Sequence, residues 1–147
     1  MTIVNTKFGQ IYIESLNYNN NCPANREEED RIKVFDSLGR YIDYHSVELL
    51  QEYADTMELT MGMAYNEILK TYENAEYIND IFPDGIMFAT KSFQEMYIYM
   101  LSEDYFDDDI RKEINHAVWK GELTKDFLLT CDWINVIGDY YVLVCEN

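Results

Sequence analysis

Between His45 and Ala89, nine carboxylates (Glu48, Glu52, Asp55, Glu58, Glu67, Glu73, Glu76, Asp80 and Asp84) stand against a single base, Lys70. Apolar residues recur through the same stretch at helical spacing: Val47, Leu50, Ala54 and Met57, then Met61, Ala64, Ile68 and Tyr72. A segment with both patterns folds as amphipathic helices that bury one side and leave the acids in water. Ser46 is placed to cap a helix from Val47 to about Glu58, and Thr60 a second through Tyr72. Gly62 weakens the start of the second.

The flanking chain reads differently. Phe8 to Leu16 alternates residue types, with Ile11 and Ile13 opposite Tyr12 and Glu14, which predicts a half-buried strand. Asn17 to Asp30 has the turn residues and charge of a solvated loop. Arg31–Phe35 and Tyr41–Tyr44 are β-prone runs around Asp36-Ser37-Leu38-Gly39-Arg40, where Gly39 suits the positive φ of a bulged hairpin.

Beyond the helices, Phe82-Pro83-Asp84-Gly85 signals a turn and Ile86 to Ala89 a short buried strand. Ser92 and Glu95 have capping-box spacing for a helix to about Leu101, with Phe93, Met96, Tyr97, Met100 and Leu101 as its apolar face. Asp107-Asp108-Asp109 opens another helix through about Lys120, ended by Gly121, with Ile110, Ile114, Ala117 and Val118 inward. Trp133–Ile137, Gly138-Asp139 and Tyr140–Cys145 read as a hairpin with a type II′ turn. The expected class is α+β: an N-terminal antiparallel hairpin or sheet, central helices and a C-terminal β-hairpin, in one domain over residues 1–147.

Charge bounds the partner. The chain carries 28 acidic against 11 basic residues, a net −17, which disfavours nucleic acid and anionic membrane and points to a basic partner. Met1 to Tyr44, with seven acids and five bases, is nearly balanced, so the acidity is local. The segment Met1 to Gln10 lacks the basic start and apolar run of a signal peptide, and no apolar run approaches the roughly 20 residues of a membrane span. Cys22, Cys131 and Cys145 form no CxxC pair and leave an odd thiol, which fits a reducing compartment.

No catalytic chemistry emerges from the motifs. His45 and His116 lack a nucleophile or acid at a spacing that identifies a triad. Glu103-Asp104 and Asp107 to Asp109 lack the spacing of a calcium loop, and no glycine-rich loop is present to cradle a phosphate. The expectation is therefore a protein without enzymatic activity, metal or cofactor.

Spacing gives the acids a use. Glu48, Glu52 and Asp55 sit roughly 4.5 to 6 Å apart along one helix stripe, comparable to the roughly 3.4 Å rise between phosphates of one nucleic-acid strand. Tyr53, Tyr65, Tyr72 and Tyr77 interleave the acids, and tyrosine beside carboxylate suits a surface for Arg and Lys.

The run Arg31-Ile32-Lys33-Val34-Phe35-Asp36-Ser37-Leu38-Gly39-Arg40-Tyr41-Ile42-Asp43-Tyr44, with the Ser46 helix after it, resembles a strand, turn, strand, helix unit of small acidic proteins from phages and other mobile elements, anti-CRISPR proteins among them. The resemblance does not extend to Asn74–Asn147. It implies a cytoplasmic inhibitor, in a bacterial host, of a Cas9-like nuclease, blocking the basic channel or the site that reads the short duplex motif beside a target.

The partner-binding residues expected on this reading are the nine carboxylates above together with Asp104, Asp107, Asp108 and Asp109. Two alternatives share the sequence: an immunity protein or antitoxin that neutralises a basic toxin, and a small enzyme or sequestering protein acting on a signalling nucleotide.

Overall fold

The computed structural model describes residues 1–16 and 31–145, so the predicted loop from Asn17 to Asp30 lies outside the described residues. The chain forms two compact units, Met1–Pro83 and Asp84–Asn147. Their boundary falls within the turn marked by Phe82-Pro83-Asp84-Gly85, where Gly85 has φ 91°.

The first unit is an antiparallel sheet of four strands in sequence order, β1 (Thr2–Thr6), β2 (Gly9–Ile13), β3 (Arg31–Phe35) and β4 (Tyr41–Ser46), followed by helices α1 (Val47–Thr56) and α2 (Met61–Glu73). Thr6 pairs with Gly9, and the Thr6 hydroxyl accepts from the Phe8 and Gly9 amides at 3.1 Å, which closes the β1–β2 turn. The period-two pattern works as expected: Ile11, Ile13, Ile32 and Val34 are buried while Tyr12 and Lys33 are only half-buried. These aliphatics, with Val4 and Ile42 from the sheet, Leu50, Ala54, Ala64, Tyr65 and Tyr72 from the helices, and Ala75, Ile81 and Phe82 beyond them, are buried hydrophobic residues of the first unit.

The β3–β4 turn is built by Asp36. Its buried carboxylate accepts from the amides of Leu38 and Arg40, each at 2.8 Å, and Gly39 takes the expected positive φ of 78°. A register shift follows at Val34/Phe35, the bulge such a loop imposes.

The second unit carries β5 (Ile86–Thr90), α3 (Phe93–Ser102), α4 (Asp108–Lys120), a short α5 (Lys125–Leu129), β6 (Ile134–Ile137) and β7 (Tyr140–Val144). The strands form an antiparallel sheet in the order β5-β7-β6. Its core holds Met96, Tyr97, Met100, Phe106, Ile114, Leu128, Ile134 and Leu143. Ile137 pairs with Tyr140 across Gly138-Asp139, and Gly138 alone of the two has positive φ, as a type II′ turn requires. The protein is thus α+β, with an N-terminal antiparallel sheet, central helices and a C-terminal hairpin. Among the described residues no helix is long and apolar enough to cross a membrane.

Three local expectations shift. Met57, expected on the buried face of the first helix, is 55% exposed because α1 ends at Thr56, and Val118, expected inward, is 39% exposed at the edge of α4. The first strand ends at Ile13 rather than Leu16 and pairs with β1, for which no strand was expected.

Candidate acidic interaction surface

Ser46 caps α1 as predicted, its hydroxyl accepting from the Leu49 amide at 3.3 Å. With Leu50 and Ala54 turned inward, Glu48, Glu52 and Asp55 fall within roughly 60° of one another around the helix, and all three are exposed. The chain reverses at Glu58. Leu59 N–H donates to the Ala54 carbonyl at 2.8 Å and Glu58 N–H to Asp55 at 3.4 Å, the paired bonds of a Schellman ending. Glu58 therefore stands at φ 57°, a left-handed position normally filled by glycine.

Thr60 caps α2 through the Met63 amide at 3.1 Å. Tyr65 and Tyr72, read as interleaved with the acids, are core residues at 8% and 5% exposure, whereas Tyr53 and Tyr77 remain on the surface at 43% and 68%. The Tyr53 hydroxyl donates to the Glu67 carboxylate, which links Glu67 to α1. That bond holds the phenol in its neutral form and raises its pKa above the ordinary tyrosine value. Glu73 ends α2, and Glu76 is exposed just beyond it.

The remaining acids have local structural roles. Asp80 accepts from the Tyr77 amide at 3.0 Å, Asp107 caps α4 through the Ile110 amide at 2.9 Å, and Asp108 and Asp109 occupy its first turn. Asp104, at φ 57°, pairs with Arg111. Asp84 opens the second unit and is exposed. The first unit thus holds Glu48, Glu52, Asp55, Glu58, Glu67, Glu73, Glu76 and Asp80, and the second Asp84, Asp104, Asp107, Asp108 and Asp109.

Helix electrostatics separates the two kinds of acid. A carboxylate in a first turn meets the positive end of the helix dipole, which accounts for Glu48, Asp107, Asp108 and Asp109. Asp55, Glu58 and Glu73 stand at the opposite, negative ends of α1 and α2, where a carboxylate is unfavourable by about 0.3 to 1 kcal/mol. Arg111 pairs with Asp104 and His45 lies 3.9 Å from Asp43, whereas among the described residues no cation lies within 4 Å of Glu52, Asp55, Glu58, Glu67 or Glu73; Lys70 stands one turn from Glu67 and Glu73 on α2, and Asp55 accepts from Gln51 Nε2 at 2.9 Å.

A polar cluster that the sequence reading missed lies beneath α2. The Tyr72 hydroxyl sits 2.7 Å from His45 Nε2 and donates to Asp43 Oδ2 at 3.4 Å, with His45 3.9 Å from the same oxygen. Asp43 and His45 are two apart on β4 and so share a side of the sheet, a signal present in the sequence; Tyr72 joins them only through the tertiary fold. Burial lowers the His45 pKa, against the pull of Asp43, and raises that of Tyr72. No group of three or more His, Cys, Asp or Glu suited to a metal occurs among the described residues.

Neither family models, nor curated proteins, nor solved structures give a match to this chain.

Proposed function

We propose that this chain is a non-enzymatic inhibitor of the anti-CRISPR type. Its acidic, tyrosine-bearing α1–α2 surface mimics DNA and occupies the basic nucleic-acid (PAM/DNA) site of a Cas9-like nuclease. The observation that carries the reading is the placement of Asp55, Glu58 and Glu73 at helix ends that disfavour them, with Glu52 and Glu67 beside them and no paired cation among the described residues. Proteins break such local rules mainly where function requires it, and this supports the reading.

A positive groove attracts such a surface over distances set by ionic strength, so association is fast and weakens with salt. The test is Glu48→Lys, Glu52→Lys and Asp55→Lys together, with the fold checked by circular dichroism. Loss of inhibition of target-DNA cleavage supports the reading, and full inhibition by the folded triple variant removes this surface as the site.

A further inference from the structure

The second unit contains a cavity of about 210 Å³ beside the last turn of α4. Ile114, Ala117 and Leu123 supply its apolar lining, Phe127 an aromatic wall, and Glu113 and Glu122 its carboxylates. The walls are held from behind. Gly121, at φ 67°, ends α4 and lets Glu122 N–H return to the Ala117 carbonyl at 3.0 Å, which brings Glu122 back beside the helix. The Tyr97 hydroxyl donates to the Thr124 carbonyl at 3.0 Å and ties the following segment to α3.

Phe127 is fixed by its neighbours: its ring lies 6.3 Å from Tyr97 at 21° and 6.2 Å from Phe106, yet the residue remains 39% exposed. Glu113 and Glu122 are exposed and form no ion pair among the described residues.

Each class of occupant meets this lining differently. A neutral apolar group would cover the apolar lining but use neither carboxylate, both of which stay in water. An ammonium is compact and strongly hydrated, and gains little from a ring wall. A guanidinium on an aliphatic stem fits every part: the stem covers Ala117 and Leu123 over the buried Ile114, the weakly hydrated plane lies against Phe127, and the N–H fork donates to the carboxylates.

We infer that this cavity is a socket for an arginine side chain of a basic protein partner. That the arginine belongs to a protein rests on the proposed function; the guanidinium chemistry of the cavity does not.

The test is an NMR titration of the intact chain with Nα-acetylarginine methylamide, with the isosteric, uncharged citrulline compound as control and spermidine as a second cation. Saturable shifts at Ala117, Leu123 and Phe127 are expected, with binding about tenfold weaker for citrulline because the charge-assisted bonds are lost. Glu113→Gln with Glu122→Gln, both at exposed positions, should weaken arginine binding by a similar factor, and Ala117→Leu should abolish it by filling the cavity.

No saturable shift, equal binding of citrulline or spermidine, or indifference to the double Gln variant overturns the socket. The lysine triple variant of α1 separates the two readings: it should abolish inhibition while leaving the arginine titration unchanged, and an arginine titration lost with it overturns the socket as an independent site.

Discussion

The Tyr53 hydroxyl on α1 donates to the Glu67 carboxylate on α2, a bond between the two helices made at the protein surface. It joins an acid of the second helix to the one aromatic side chain of α1, so the two helices present carboxylate and phenol together. The neutral phenol is the donor, and the loss of this hydrogen bond on ionisation is the main cause of its raised pKa, with desolvation and the repulsion between phenolate and Glu67 adding less. In Glu67→Gln the Tyr53 pKa should fall back toward the ordinary value of about 10. A pH titration of the Tyr53 ring carbon by NMR measures it; no change on substitution would mean that Glu67 does not set the phenol's ionisation.

Glu58 and Asp104 hold equivalent places at the ends of α1 and α3, both with φ 57°. The left-handed conformation costs a residue with a side chain about 1 to 2 kcal/mol, less for aspartate than for glutamate. Glycine removes that strain and gives back part of it as backbone entropy. Glu58→Gly should therefore stabilise the first unit by roughly 0.5 to 1 kcal/mol. Asp104→Gly should gain less, since it also loses the pair with Arg111. Trp119 and Trp133 both lie in the second unit, so urea unfolding followed by tryptophan fluorescence reads Asp104→Gly, and amide hydrogen exchange in α1 reads Glu58→Gly. A destabilised Glu58→Gly would contradict the strain argument.

The His45 cluster predicts a pH dependence with a definite sign. Burial outweighs the attraction of Asp43 and holds the folded-state pKa of His45 below 6.5. Between that lowered value and about 6.5, the unfolded chain binds more protons than the folded one, so stability rises with pH. The contribution is complete above that window and is lost as the pH falls through it. His45→Gln keeps a polar group near Tyr72 but does not titrate, so the slope of unfolding free energy against pH in this window should flatten. An unchanged slope would assign it to the carboxylates instead.

What could be read from the sequence was what is decided locally. Ser46, Thr60 and Ser92 cap the helices they were expected to cap, and Asp107, expected only to stand at a helix start, caps α4, because a cap depends on a side chain and an amide three residues on. Gly39 and Gly121 take the positive φ their turns demand. β1 was missed because a five-residue edge strand with Val4 as its only buried residue shows no apolar alternation. The five residues of α5 are too few to show a helical period. Placing β7 between β5 and β6, or Tyr72 against Asp43 and His45, depends on contacts across intervening helices that no local pattern records. The acids themselves were legible as residues, but the division between capping and uncompensated carboxylates needed the helix ends.

That division predicts opposite outcomes for two kinds of neutral substitution. Asp107 satisfies an otherwise unpaired amide of α4, so Asp107→Ala should cost about 1 kcal/mol of stability while leaving the proposed inhibition of a nuclease unchanged. Glu48, Glu52 and Asp55 are like charges one turn apart, and Asp55, which accepts from Gln51 Nε2 at 2.9 Å, also stands at the negative end of α1. Glu52→Gln with Asp55→Asn should then hold stability or raise it by a few tenths of a kcal/mol. The same pair should slow association with the proposed nuclease target and reduce its dependence on salt, since steering follows the charge presented. Urea unfolding and association rates at two ionic strengths measure both quantities. If the Asp107 variant impaired association more than the Glu52 and Asp55 variant, the binding surface would lie on the second unit and not on α1 and α2.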